Sequence, residues 1–174
     1  RRLVVKALYE TPIPHRLTLI EGGTGTAKTA LLHHLAATGA QVLDLEGIAA
    51  HRGSLFGDMA TGQPAQKLFE SRLAAALGQL DPMRPTWVEA ESSRIGARTL
   101  PPSLWAAMQG ADRVEITAPL QARAAFLCRA YDDLMQDPQR LATLIDQLRP
   151  YHPGSLIADW LDMARTKDWT ALAA

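Results

Sequence analysis

The stretch from Leu17 to Thr29, reading Leu-Thr-Leu-Ile-Glu-Gly-Gly-Thr-Gly-Thr-Ala-Lys-Thr, most constrains what this chain can fold into. Thr18 to Glu21 is mostly apolar and bounded by Pro14 before and glycines after, as a buried strand should be. Gly22, Gly23 and Gly25 then supply a loop in which backbone N–H groups can turn inward, because glycine has no Cβ to block them. Lys28 and Thr29 open a helix predicted over Ala27 to Ala37, with Leu31, Leu32, Leu35 and Ala36 marking its apolar face. Strand, glycine loop and helix N-terminus together suit a di- or triphosphate. The amides from Gly22 through Gly23, Thr24, Gly25, Thr26 and Ala27 cradle oxygens, Lys28 neutralises charge, and the Thr29 hydroxyl reaches Mg²⁺.

The pattern G-x-x-x-x-G-K-[ST] runs from Gly22 to Thr29 with one departure, Ala27 where the second glycine belongs. Alanine forfeits easy access to φ > 0 and adds a methyl near the phosphate path. The competing reading is a chance glycine turn before a core helix. The strand and helix on either side favour the phosphate loop.

From this unit the expected fold class is α/β, a P-loop NTPase-like parallel sheet with flanking helices and a helical C-terminal extension. Residues 1–15 read as the tail of a preceding linker helix, 16–136 as the P-loop domain, and 137–174 as a helical C-terminal part. Both ends look cut, since there is no initiator Met and the pattern from Trp169 to Ala174 stops within two turns.

Gln41 to Glu46 alternates as a second strand ending in Asp44 and Glu46. In parallel sheets the C-terminal strand ends face the ligand crevice, which puts both carboxylates on the functional edge; alternatively they are a solvated strand end and a helix cap. A loop-like segment, His51-Arg-Gly-Ser-Leu-Phe-Gly57, follows, then a helix from Pro64 to about Leu80. Thr86 to Glu91 is a third strand that ends acidic. A strand closing in a carboxylate is how phosphate-loop proteins hold Mg²⁺, directly or through water, so Glu89 and Glu91 join Thr29 as candidate metal contacts. With Lys28 they are also the candidate catalytic residues.

Ser92 to Arg98 is a polar loop leaving the same edge. A short helix near Pro102–Gln109, a fourth strand from Asp112 to Thr117 and a helix from Pro119 to about Gln136 follow. On that last helix Arg123 lies nearest the strand end, where a lid arginine would reach phosphates. Asp137 and Ser155 are expected to cap two further helices. Candidate substrate and tRNA contacts are Asp44, Glu46, His51, Arg52, Ser54, Arg94, Arg98 and Arg123.

Composition excludes more than it assigns. Eighteen basic and eighteen acidic residues cancel, so no global field favours nucleic acid or membrane; the basic set leans to Arg, which suits a local phosphate-binding patch. The single cysteine, Cys128, excludes an intrachain disulfide, and its apolar helical neighbours predict burial. The five histidines include no i, i+4 pair. No membrane-spanning run or signal peptide is read, and a cytoplasmic protein is expected.

The motifs together resemble the C-terminal P-loop portion of bacterial tRNA 2-selenouridine synthases. The resemblance is carried by Gly-Gly-Thr-Gly-Thr-Ala-Lys-Thr29, Gln-Val-Leu-Asp-Leu-Glu-Gly47, His-Arg-Gly-Ser-Leu-Phe-Gly57 and Val-Glu-Ala-Glu-Ser-Ser-Arg-Ile-Gly96. It implies an enzyme acting on the wobble 2-thiouridine of tRNA. Sulfur is replaced by selenium from selenophosphate through an S-geranylated intermediate made from geranyl diphosphate. Mg²⁺ and either geranyl diphosphate or a nucleotide, ATP or GTP, are the implied ligands, and the tRNA anticodon arm the implied partner. The family's rhodanese-like domain, which carries the chalcogen-handling cysteine, is absent from these residues. Ala27 and the Glu-Ala-Glu strand end depart from the family's pattern, departures that bear on nucleotide hydrolysis more than on diphosphate binding. Two other readings stay open from the residues alone. One is a small-molecule P-loop kinase with Asp44 as base and Arg123 in a lid; the other is a non-catalytic module that positions tRNA or a partner domain.

Overall fold

The computed structural model describes residues 6, 8–54, 56–59 and 61–174. Their contacts divide into two compact units, one built from the residues up to Gly22 with Lys28–Ile116, the other from Gly23–Ala27 with Thr117–Ala174.

The first unit is a parallel α/β sheet. Its strands are β1 (Arg16–Glu21), β2 (Gln41–Leu43), β3 (Pro85–Glu89) and, last in the chain, the strand Asp112–Glu115. The order is β2, β3, β1 and then Asp112–Glu115, with every pairing parallel. Parallel pairing demands crossovers, and helices α1 (Lys28–Ala37), α2 (Leu45–Ala49) and α3 (Gln66–Leu77) supply two of them. β1 is central and reads as a near-continuous apolar run because both faces are covered; Leu19 and Ile20 are buried, as is Val88 opposite Leu19. Phe69, Leu73 and Leu77 of α3 pack into the same core as Leu43, Leu45 and Val88. The register Ile20 to Glu89 and Glu21 to Glu115 brings the acidic strand ends to one edge.

Several boundaries differ from those read in the sequence, each for a local reason. β2 stops at Leu43, not Glu46, because Asp44 turns the chain into α2 as its N-cap, its carboxylate accepting the Gly47 N–H at 2.7 Å. The polar loop Ser92–Arg98 contains a hairpin of β4 (Arg94–Ile95) and β5 (Arg98–Thr99), turned at Gly96 with φ 56°. α4 (Pro102–Gln109) lies as expected, and the fourth parallel strand is β6 (Asp112–Glu115). Of the helix read over 1–9, residues 1–5 and 7 lie outside the described residues; Leu8 is buried, and the Tyr9 hydroxyl donates to Glu70 Oε1 at 2.5 Å.

The second unit is helical from α5 (Leu120–Ala130) through α6 (Asp132–Met135), α7 (Pro138–Asp146), α8 (Gly154–Thr166) and α9 (Trp169–Ala173). The single helix expected from Pro119 to Gln136 is broken at Tyr131, whose φ of −116° and ψ of 26° leave the helical region. Asp137 caps α7 by accepting the Arg140 N–H at 3.0 Å. Ser155 does not cap α8, which starts one residue earlier after Pro153 with no side-chain cap. α7 sets Leu141, Leu144 and Ile145 inward, and α8 contributes Ile157 and Ala164. Cys128 is half-buried, not buried as its apolar neighbours predict. Among the described residues no helix is long and apolar enough to cross a membrane.

Candidate functional site

The glycine loop follows β1 as the sequence requires. In the first unit, Lys28 Nζ turns back to donate to Gly22 O at 2.9 Å. In the second unit, Thr26 closes a tight turn, its N–H and hydroxyl both donating to Gly23 O at 3.2 and 2.8 Å. Arg123 reaches this turn from α5 and donates from Nε to Thr24 O at 2.8 Å, with its guanidinium against Gly23. Gly25 has φ 84°, and a Cβ there would lie 3.0 Å from both Arg123 O and Leu127 Cγ, so the loop needs glycine at that point. Ala27 corrects an expectation. Alanine is expected to forfeit φ > 0, yet Ala27 sits at φ 65°, and so α1 begins at Lys28 rather than Ala27. A left-handed alanine costs roughly 1–2 kcal/mol.

At the start of α1, the Thr29 hydroxyl donates to Glu46 Oε2 at 2.8 Å. Glu46 is one of three carboxylates held at this sheet edge. Glu89 has no solvent exposure; its Oε2 accepts the Leu45 N–H at 3.2 Å, and its Oε1 is buried without a hydrogen-bond partner. Burial, then repulsion from Asp44 and Glu46, pushes Glu89 up to about 8. Burial and repulsion from Glu46 push Glu91 up to about 7, with Lys28 opposing. Glu46 is raised as well, chiefly by burial, against the pull of Thr29 and Lys28. In all three carboxylates burial is the first cause of the rise, since it disfavours the charged form. Among the described residues no three His, Cys, Asp or Glu side chains are grouped to hold a metal by themselves.

Asp44 stands near enough to raise Glu89 and Glu46, but its own oxygens are turned to other partners. Its Oδ1 caps α2 and its Oδ2 lies 2.8 Å from His33 Nε2, so the helix-cap reading describes it. Glu46 takes the opposite part and joins Thr29, Glu89 and Glu91.

Gly53, in the segment after α2, lies against the carboxylates. Gly53 has φ 70°, and a Cβ there would lie 2.6 Å from Glu46 Oε1 and 2.7 Å from Glu91 Oε2. His51 is buried beneath it, accepting the Gly53 N–H on Nδ1 at 3.1 Å, so it meets no substrate from the surface. Ser54 is tied into the same turn, its N–H donating to Arg52 O at 2.8 Å. Arg94 is exposed and Arg98 half-buried on the adjoining hairpin. Gln63 was missed in the sequence because it lies in an aperiodic stretch. Its amide donates to Ala49 O and Ile95 O at 3.2 and 2.9 Å and accepts from Ala97 N at 2.7 Å, joining α2 to the hairpin.

A family model described as the tRNA 2-selenouridine synthase AAA domain matches residues 15–147, which include every one of these groups. The chain belongs to that family. A tRNA 2-selenouridine synthase of Shewanella frigidimarina (strain NCIMB 400) is 35% identical over 133 residues, covering 75% of this chain and 35% of that protein. One from Psychromonas ingrahamii (strain DSM 17664 / CCUG 51855 / 37) is 37% identical, covering 76% and 35%. One from Pseudomonas syringae pv. tomato (strain ATCC BAA-871 / DC3000) is 43% identical over 112 residues, covering 63% and 30%. The chain thus spans about a third of the length of the curated relatives it matches. As a family member it is a P-loop NTPase-like α/β domain, as its sheet order and flanking helices agree.

Proposed function

We propose that this chain is the diphosphate-binding part of a tRNA-modifying enzyme that replaces the sulfur of wobble 2-thiouridine by selenium through an S-geranyl intermediate. In this reading the loop from Gly22 to Thr29 holds the diphosphate of geranyl diphosphate. Backbone N–H groups take its oxygens, and Lys28, released from Gly22 O, supplies charge-assisted contact. The observation that carries the proposal is Thr29, whose hydroxyl reaches Glu46 in a cluster with the buried Glu89 and the half-buried Glu91.

Mg²⁺ fits these residues. The donors are all oxygens, Glu89 Oε1 lacks a partner, and the raised carboxylates are stabilised by a cation. Because Mg²⁺ keeps several waters and takes one or two carboxylates with substrate phosphates, a site short of three grouped carboxylates is no obstacle. Thr29, Glu46 and Glu91, with Glu89 behind them, are the residues that would hold it. When bound, the ion neutralises charge developing on the departing diphosphate. In the reaction, the thione sulfur of 2-thiouridine bonds to the geranyl C1 as the C1–O bond breaks, diphosphate leaves with that bond's electron pair, and the N3 proton of the base passes to solvent. No protein nucleophile is needed.

Arg52, Arg94 and Arg98, on the loop and hairpin beside the carboxylates, are proposed to meet the phosphates of the anticodon arm in a cytoplasmic tRNA. Selenium transfer from selenophosphate is assigned to a rhodanese-like domain beyond these residues, since Cys128 is the one cysteine among them. The kinase reading would use Asp44 as base, and there the carboxylate already accepts the Gly47 N–H and meets His33.

The test is calorimetric titration of geranyl diphosphate, ATP and GTP with Mg²⁺, alongside an assay for nucleotide hydrolysis. Tight geranyl diphosphate binding without ATP or GTP turnover is expected. Preferential ATP binding with phosphoryl transfer would replace the prenyl reading by a kinase one.

A further inference from the structure

The sequence motif His51-Arg-Gly-Ser-Leu-Phe-Gly57 is not accounted for by diphosphate binding, yet its described residues are closely tied to one another. Its backbone closes on itself, Arg52 N donating to Gly57 O at 2.9 Å and Gly57 N to Ser54 O at 2.9 Å. The His51 imidazole sits at its centre with 4% exposure. Two glycines wall the ring. A Cβ on Gly57 would lie 2.8 Å from His51 Cε1, and one on Gly96 would lie 2.7 Å from Cδ2 and from Nε2. The ring's two nitrogens are spoken for. Nδ1 accepts the Gly53 N–H at 3.1 Å, and Nε2 lies 3.4 Å from Asp58 Oδ1. With Nδ1 an acceptor, the proton of the neutral ring is on Nε2, facing Asp58.

We propose that His51 is a positioning residue for the carboxylate site: by accepting the Gly53 N–H on Nδ1 it holds the Gly53 backbone against Glu46 and Glu91 and so fixes where those carboxylates stand. The inference rests on the reading of Glu46 and Glu91 as Mg²⁺ contacts. Gly53 can serve because it has no Cβ and tolerates φ 70°; any larger residue would drive both carboxylates from their places. His51 touches neither substrate nor metal. Its effect passes through one hydrogen bond and one glycine, the way an outer group orients a metal's direct ligands. Desolvation holds the His51 imidazole below its ordinary range, which keeps the ring neutral and Nδ1 able to accept.

The geometry gives a specific test, because two substitutions separate the two ring nitrogens. Asparagine can present an acceptor near the Nδ1 position, whereas glutamine reaches toward the Nε2 position. Inorganic pyrophosphate is titrated against the wild-type chain, His51→Asn, His51→Gln and Gly53→Ala, each with Mg²⁺ and with EDTA, and thermal melts are recorded for all four. His51→Asn is expected to keep Mg²⁺-dependent affinity near wild type. His51→Gln and Gly53→Ala should lose about 10–100-fold of the Mg²⁺-dependent part, the usual effect of removing an outer-shell partner, while binding in EDTA stays unchanged. Equal affinities for His51→Asn and His51→Gln, whether both retained or both lost, would overturn the role of Nδ1. A Gly53→Ala chain with full Mg²⁺ dependence would overturn the link through the glycine. Wild-type binding that ignores Mg²⁺ would instead remove the metal reading on which the inference stands.

Discussion

In the first unit Glu89 has no solvent exposure and shares a sheet edge with Glu46 and Glu91, whereas Asp146 and Asp162 in the second unit stand in water as surface pairs. Asp146, the last residue of α7, pairs with Arg149 at 2.8 Å, and Asp162 pairs with Arg165 at 2.6 Å on α8. Such exposed pairs contribute roughly 0–1 kcal/mol, since water screens them and ordering two long side chains offsets the attraction. Buried carboxylates without a cation do the reverse and lower the stability of the fold that holds them. Every buried polar or charged residue among the described ones, His51, Glu70, Thr86 and Glu89, lies in the first unit. The second unit buries Ala124, Leu134, Leu141, Leu144, Ile145, Ile157 and Ala164, all apolar. A unit that buries only apolar groups is explained by folding alone. One that also buries Glu89 with an unpartnered oxygen carries a cost that folding alone does not explain.

The largest effect expected from this contrast is on binding. Lys28→Ala should cost about 1.5–3 kcal/mol of diphosphate affinity, the worth of a charge-assisted hydrogen bond, while its urea unfolding midpoint stays put. An unchanged dissociation constant for geranyl diphosphate, ATP and GTP would remove Lys28 from the site.

Next comes the pH dependence of stability, measured by urea unfolding in EDTA. The folded state keeps the Glu89 proton up to about 8, while the unfolded chain releases it near 4.5. The folded state therefore binds more protons across that window, and stability falls as pH rises from about 4.5 to about 8, levelling above it. Glu91 and Glu46 add to the same slope. Glu89→Gln should flatten it; a slope identical to wild type would mean that Glu89 is ionised in the fold.

Smaller still, Ala27→Gly relieves a left-handed alanine and should stabilise the chain by about 0.5–1 kcal/mol, part of the strain being returned as unfolded-state entropy. A loss of stability would show that the Ala27 methyl packs usefully. At the bottom of the scale, Arg165→Ala on α8 should move stability by no more than about 0.5 kcal/mol in denaturant melts. A larger drop would end the distinction drawn between the units.

The loop, the order of strands and helices, and the acidic sheet edge were all legible in the sequence, because apolar runs and glycines at fixed spacing act locally. What escaped was set by contacts distant in the chain. Asp44 and Glu46 looked equivalent at a strand end, but the chain turns at Asp44, and only Glu46 is brought back to Thr29. His51 looked like a surface contact and is the buried support of Gly53, a role that depends on Gly57 and Gly96 closing around it. Gln63 joins carbonyls at 49 and 95 across a span that no local pattern encodes. Ala27 shows the opposite limit: the rule against left-handed alanine is sound, yet the loop imposes the conformation.

The central claim is that the sheet-edge carboxylates and Thr29 make diphosphate binding depend on Mg²⁺. It is tested most directly by titrating geranyl diphosphate against the wild-type chain and against a Glu46→Gln, Glu91→Gln double variant, each with Mg²⁺ and with EDTA. The account predicts that Mg²⁺ tightens binding to the wild type and leaves the double variant at the EDTA level. Mg²⁺ enhancement of equal size in both would contradict it.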